Sequence, residues 1–270
     1  MKANEVDLHD GVVVRVSNGD HAPGLAQVCG EELYRFDLHR PDVSMLGVFD
    51  ALLGNRRDFL LHAPVVPSKI ICVGLNYRRH AEEMNKEIPT EPLLFLKPPS
   101  ALIGPGETIM LPPESQEVHH EGELALVIGK TLKGVSPEEA SQGVFGYTCA
   151  CDVTARDIQR RENRYTRAKG FDTFAPLGPA IRLRETITIE ESFLRCRING
   201  EVRQESQLND FLFSLDEVVS FISTIMTLHP GDVVFTGTPH GVGSIIDADE
   251  VEVEITGVGT LKNSVSSRKR

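Results

Sequence analysis

The sequence predicts a β-rich α+β protein built on a mixed sheet or β-roll rather than a doubly wound sheet. Three observations lead there. From residue 69 onward the chain is a series of short apolar runs separated by turn residues. Only the stretch 214–227 carries strong helix signals, and strands do not alternate regularly with helices as repeated βαβ units would require. With 270 residues there is room for one large domain, or a main domain with a small appendage.

Before residue 63, Val12-Val13-Val14-Arg15-Val16 and Leu25-Ala26-Gln27-Val28-Cys29 read as short strands, followed by a helix near 43–53. Pro64 and Pro67 bracket Val65-Val66; each proline removes a backbone donor and fixes its own φ, so this segment reads as a linker. It divides a small N-terminal β-containing domain, residues 1–66, from a main domain, residues 67–270. Lys69-Ile70-Ile71-Cys72-Val73-Gly74 is an apolar run ending in glycine and reads as a buried strand. Strands follow at 121–130 and 144–154. In 214–227, Ser214 and Glu217 have capping-box spacing, and Leu215, Val218, Val219, Ile222, Ile225 and Met226 share a helical face. Pro230-Gly231 ends that helix, and strands at 232–238, 250–256 and 260–265 complete the chain.

Composition excludes several functional classes. The content is 40% hydrophobic and 25% charged, that of an ordinary globular protein. A formal net charge of -11 repels phosphate backbones, so no nucleic-acid partner is expected, and the basic tail Arg268-Lys269-Arg270 reads as a solvated end. No apolar run approaches the ~20 residues of a membrane span, and the N-terminus lacks the apolar region of a signal peptide. Five scattered cysteines fit reduced thiols in a cytoplasm better than a disulfide framework, with Cys149 and Cys151 facing one way along a strand.

The most informative stretch is Val118-His119-His120-Glu121-Gly122-Glu123-Leu124-Ala125-Leu126-Val127-Ile128. Residues two apart on a strand share a face, so Glu121 and Glu123 are neighbours, and the strand they open is apolar on both sides. Two carboxylates drawn together into such a strand repel and lose hydration unless a cation or a proton compensates. Asp152 ends a second run too apolar for the surface. Three oxygen donors favour a hard cation, Mg²⁺ first, then Mn²⁺ or Ca²⁺. The alternative is that these acids end their strands in water, and for the Glu-x-Glu pair alone the two readings stand level; Asp152 tilts the balance toward the metal. The zincin spacing is absent, so His119 and His120 read as packed or supporting residues.

These residues belong to an ordered set of motifs: Val73-Gly74-Leu75-Asn76-Tyr77 leading to His80 and Glu83; His119 to Leu124; Asp152-Val153-Thr154-Ala155-Arg156-Asp157-Ile158-Gln159; Ala168-Lys169-Gly170-Phe171-Asp172; and Thr236-Gly237-Thr238-Pro239-His240-Gly241-Val242-Gly243. In that order, over residues 69–262, the chain resembles the fumarylacetoacetate hydrolase family. The resemblance implies a mixed β-roll catalytic domain, a homodimer, and a divalent ion, Mg²⁺ or similar, on Glu121, Glu123 and Asp152. It implies 2-oxo or 2,4-dioxo acid substrates, His80 with Glu83 as the pair that activates water, Lys169 as a catalytic residue, and Arg156, Gln159 and Thr238 at the substrate. On a short helix after Gly74, His80 and Glu83 would lie three apart and share a face, so the carboxylate could orient the imidazole. Taken alone, such a pair is more often an exposed one.

The reaction expected from these residues is metal-dependent hydrolysis of a carbon–carbon bond in an acylpyruvate-like acid. The same site would serve tautomerisation, isomerisation or decarboxylation, for example of oxaloacetate or of a 2-hydroxydienedioate from aromatic catabolism. A catalytically silent metal-binding protein is the reading from another class, and has no chemical need for carboxylates, base and lysine together.

Overall fold

In the computed structural model, which describes residues 1–18, 22–36, 52–83 and 85–267, the apolar runs become the central strands of mixed sheets. The N-terminal residues form β1 (Val13–Ser17), β2 (Gly24–Cys29), β3 (Glu32–Arg35), β4 (Leu52–Asn55) and β5 (Leu60–His62). Then come β6 (Ile70–Gly74), helix α1 (Arg78–Glu83), β7 (Leu93–Lys97), β8 (Leu102–Ile103), β9 (Thr108–Leu111), β10 (Val118–His120) and β11 (Gly122–Ile128). The middle of the chain supplies α2 (Pro137–Gly143), β12 (Val144–Cys151), β13 (Thr154–Ala155), α3 (Arg156–Glu162), α4 (Thr166–Lys169) and β14 (Ala175–Leu183). Last are β15 (Phe193–Ile198), β16 (Glu201–Gln207), α5 (Leu215–Ile225), β17 (Val233–Phe235), β18 (Gly243–Ile245), β19 (Glu250–Ile255) and β20 (Gly259–Ser267).

Among the described residues the largest sheet runs β4-β3-β2-β1-β14-β12-β11-β17-β6-β7, with β5 pairing β1 and β8 pairing β14. A second sheet runs β16-β15-β19-β20-β9, and a small one β13-β10-β18. The β17–β6, β14–β8 and β20–β9 pairs are parallel within otherwise antiparallel sheets. The N-terminal strands continue the large sheet, since β1 pairs with β14 at Val13 and Ile181; Val13 and Leu25 pack with the core of the large sheet, while Val14, Val16, Ala26, Val28, Leu33 and Leu61 gather with Ala180 in a second cluster.

β11 is buried along its whole length between β12 and β17. Leu124, Leu126 and Ile128 on one face join one apolar core; Ala125 and Val127 on the other join a second. This two-sided burial is what the near-continuous apolar run demanded. Cys149 and Cys151 point into the first core together, where burial pushes both thiols up to about 12.

Several boundaries differ from the expectation. The strand expected at 121–130 starts at Gly122, and that at 144–154 breaks at Asp152-Val153. Helix α5 has its Ser214–Glu217 capping box, but Ile225 is exposed, because the helix turns that position away from the core in its final turn. Of the helix expected near 43–53, residues 43–51 lie outside the described residues, and Leu52 and Leu53 open a strand, held by the pairing of β4 with β3. The basic tail 268–270 also lies outside them. No helix among the described residues is long and apolar enough to cross a membrane.

Candidate active site

Glu121 stands where the chain changes sheets. β10 pairs with β13 and β18 in the small sheet, and one residue later β11 enters the large one. The Asp152 N–H donates to the Glu121 carbonyl at 2.8 Å, continuing the β11–β12 ladder past its last strand pair and bringing the two side chains together. Gly122 makes the change of sheet possible, since a Cβ there would sit 2.9 Å from Cys196 Cβ, in the second sheet. Oxygens of Glu121, Glu123 and Asp152 all lie within 4.8 Å of one another, and the three side chains are buried.

Three buried cations meet these acids. Lys169, at the end of α4, donates to Glu121 Oε2 at 2.8 Å and also to Asp152 Oδ2. Arg156, at the start of α3, donates to Glu121 Oε1, and to Gln159 Oε1 at 2.6 Å. Lys97, at the end of β7, donates to Asp152 Oδ1 at 2.5 Å and to the Val153 carbonyl at 3.1 Å. Glu123 stands apart: it accepts the Gly237 N–H at 2.8 Å, on a turn where φ is +97° and a Cβ would lie 2.9 Å from Asn76 Cβ.

The electrostatics follow from these contacts. Burial disfavours the charged form of Glu121, but Lys169 and Arg156 outweigh it and hold the carboxyl below its usual range. Burial works against the Lys169 ammonium too, and Asp152 and Glu121 reverse that, raising its pKa and keeping it cationic. Glu123 goes the other way: burial and then the like charges of Asp152 and Glu121 push it well above the carboxylate range. A carboxyl in that position can exchange its proton for a bound cation, the proton leaving to solvent, so the donor set fits a hard divalent ion.

These residues line a cavity of about 270 Å³ together with His80, Gln159, Thr238, Lys86, Phe95 and Tyr165. His80, on α1, donates through Nδ1 to Glu83 Oε2 at 3.1 Å. Glu83 lies beside the cavity wall rather than on it, and its other oxygen accepts the Gly241 N–H at 3.0 Å. The Thr238 hydroxyl donates to the Gly122 carbonyl at 2.9 Å, and the Thr236–Gly243 segment turns sharply after β17. All nine residues singled out in the sequence thus fall in or against one cavity. His119 does not line it: Nε2 donates to Glu117 Oε1 at 2.8 Å and Nδ1 accepts from Arg156 Nε at 3.3 Å, so it supports Arg156 from behind.

Two residues that bond to the carboxylate-bearing segments went unmarked in the sequence. Lys97 is one; its signal is a lysine closing the apolar run Leu93-Leu94-Phe95-Leu96 just before two prolines. The other is Gln204 on β16, a strand whose other residues are exposed or half-exposed. Its Oε1 accepts from Gly122 N at 2.9 Å and His120 Nδ1 at 3.1 Å; its Nε2 donates to Thr238 Oγ1 and the Pro239 carbonyl, both at 2.8 Å. No signal short of the fold marks it. Burial lowers the His120 pKa to about 4, leaving a neutral ring in that network.

The profile of the fumarylacetoacetate (FAA) hydrolase C-terminal family matches residues 69–266. A mitochondrial oxaloacetate tautomerase of Bos taurus is 43% identical over 221 residues, which cover 78% of this chain and 70% of the relative. Among solved structures, a 5-carboxymethyl-2-hydroxymuconate delta-isomerase from Mycobacterium smegmatis is 40% identical with a TM-score of 0.85, covering 96% of this chain and 100% of that one. A 2-hydroxyhepta-2,4-diene-1,7-dioate isomerase from Mycobacterium marinum is 36% identical at the same TM-score, covering 96% and 99%.

Proposed function

Because this chain belongs to the fumarylacetoacetate hydrolase family, we propose that it is a divalent-metal-dependent tautomerase or isomerase of 2-oxo dicarboxylic acids. The observation that carries this reading is the buried set of six ionisable side chains. Once an ion has displaced the Glu123 proton, Glu121, Glu123 and Asp152 face Lys97, Arg156 and Lys169, three against three. A divalent ion on the carboxylates adds two positive charges, and a substrate with two carboxylates restores neutrality in a site where uncompensated charge is costly. Two of the relatives named above are named for oxaloacetate and for an unsaturated dioate.

A divalent ion held by Glu121, Glu123 and Asp152 would anchor the substrate carboxylate and 2-oxo oxygen and stabilise negative charge on that oxygen. His80 is the base. Its Nδ1 is committed to Glu83, which leaves Nε2 to take a proton from the carbon next to the carbonyl. The C–H electron pair becomes a carbon–carbon double bond, and the carbonyl pair moves onto oxygen. His80 then returns the proton to that oxygen or to another carbon of the conjugated chain, with Glu83 stabilising the imidazolium between the two steps. Lys169 stays protonated and acts as a hydrogen-bond donor and fixed positive charge, not as the base. Arg156, braced by Gln159, and Thr238 orient the substrate.

A second reading, hydrolysis of a carbon–carbon bond in a 2,4-dioxo acid, is supported by Glu83, held at 3.0 Å by Gly241 N–H and at 3.1 Å by His80; a dyad so anchored also suits deprotonation of water. Incubating the protein with oxaloacetate, a 2-hydroxydienedioate and acetylpyruvate in D₂O, with Mg²⁺ or EDTA, separates the readings by proton NMR. Accelerated keto–enol exchange or double-bond migration without cleavage is expected, and EDTA should abolish it. Release of pyruvate and acetate from acetylpyruvate, with no acceleration on the other two, would put hydrolysis in its place.

A further inference from the structure

Four cationic side chains line the cavity, and three of them are bound to acids. Arg156 binds Glu121, Lys169 binds Glu121 and Asp152, and Arg160 pairs with Glu117. Lys86 has no ion-pair partner among the described residues. Its backbone is nevertheless fixed relative to the base. Helix α1 ends with Asn85 in the left-handed region, φ +50°; the Lys86 N–H donates to the Ala81 carbonyl at 2.9 Å and the Asn85 N–H to the Glu82 carbonyl at 3.0 Å. This is a Schellman closure, which ties Lys86 to the helix that carries His80. Also lining the cavity, Phe95 and Tyr165 stack with centroids 4.8 Å apart and planes 26° apart, and Lys169 Nζ lies 4.8 Å from the Phe95 centroid. The aromatic pair therefore adjoins the buried cationic end of the cavity, while Lys86 supplies an exposed, unpaired positive charge elsewhere on its lining.

We propose that Lys86 is a specificity-determining residue that receives the distal carboxylate of a dicarboxylic 2-oxo acid whose carbon chain lies against the Phe95–Tyr165 pair. The inference rests on the reading of the site as one for 2-oxo acids, and it adds which residue selects a charged far end over an apolar one. An ammonium on a flexible stem suits a far carboxylate whose distance varies among substrates better than a rigid guanidinium fork.

The test compares two five-carbon 2-oxo acids that differ only at the far end, 2-oxoglutarate and 2-oxopentanoate, binding to the whole protein by calorimetry with Mg²⁺ present. Oxalate, which has no far end, tests the inner site of the wild type alone. The wild type should bind oxalate and prefer the diacid. Lys86→Glu should lower the diacid-to-monoacid affinity ratio by about tenfold or more, and Lys86→Arg should keep most of it. A ratio of affinities within one variant is insensitive to any loss of folded protein. If the wild type binds oxalate yet shows no preference, or Lys86→Glu keeps the wild-type ratio, the selection role is overturned and the 2-oxo acid reading stands. If oxalate does not bind, that reading falls and Lys86 with it.

Discussion

Lys97 Nζ lies 2.5 Å from Asp152 Oδ1, and both side chains are sealed from solvent. Removing Lys97 leaves the buried acids one cation short, with Lys169 as the remaining ion-pair partner of Asp152. Lys97→Met should therefore destabilise the protein by about 3–5 kcal/mol in denaturant unfolding. Because a cation at the triad also compensates Asp152, Mg²⁺ should return more stability to this variant than to the wild type. Equal stabilisation of the two by Mg²⁺ would show that Lys97 and the ion do not share that carboxylate.

Why Lys97 escapes a reading of the sequence, while the triad does not, is a matter of range. Glu121 and Glu123 are two apart, and their oddity is local: acids opening a strand that is apolar on both faces. Asp152 shows the same oddity at the end of β12. Lys97 is paired with an acid 55 residues away, so its sequence context shows only a cation after an apolar run. Gln204 is harder still, because Glu201-Val202-Arg203-Gln204-Glu205 carries no pattern that marks the one buried side chain. The strands themselves were legible from apolar runs and the α5 start from its capping box, because both are set by neighbours in sequence. The exposure of Ile225 and the break at Glu121 depend on which sheet each segment joins.

Glu123 links ion binding to pH. Its carboxyl is pushed well above the usual range by burial and by Asp152 and Glu121, so a cation must displace a proton there. Mg²⁺ affinity should rise with pH up to that raised pKa and level off above it. Calorimetric titrations in buffers of different ionisation enthalpy should show close to one proton released per ion at the acidic end of the range and fewer above. An affinity flat with pH would assign the ion to other ligands.

Gln204 makes four hydrogen bonds that tie the Glu121–Glu123 segment to the Thr238 turn. Gln204→Leu keeps the bulk and leaves the Gly122 N–H and the Thr238 hydroxyl without this partner, at about 1–3 kcal/mol for each group left unsatisfied. Because the loss falls between two ion ligands, Mg²⁺ affinity should weaken along with stability. Gln204→Glu retains the two acceptor contacts and should recover part of the ion affinity. A Leu variant that loses stability while binding Mg²⁺ as tightly as wild type would confine Gln204 to holding the fold.

Asp232 anchors the entrance to β17 and, with it, the strand that leads to Gly237 and Thr238. Its buried carboxylate accepts Ser68 Oγ at 2.6 Å, the Lys69 N–H at 3.3 Å and the His229 N–H at 2.8 Å, and it pairs with Lys69 Nζ. Burial opposes its charge, but the bonds from Lys69, Ser68 and His229 outweigh burial and lower its pKa below the unfolded value of about 3.9. A carboxyl depressed by folding stabilises the native state above the unfolded pKa, and that contribution disappears as pH falls through the folded one. Asp232→Asn removes the titration and the charge of the pair while keeping the shape. The stability difference between wild type and this variant should be largest near pH 7 and shrink below pH of about 4 as the wild-type carboxylate takes up its proton. Urea unfolding of both proteins at pH 7 and pH 3 measures it. A difference as large at pH 3 as at pH 7 would mean that the variant fails through packing rather than through lost charge.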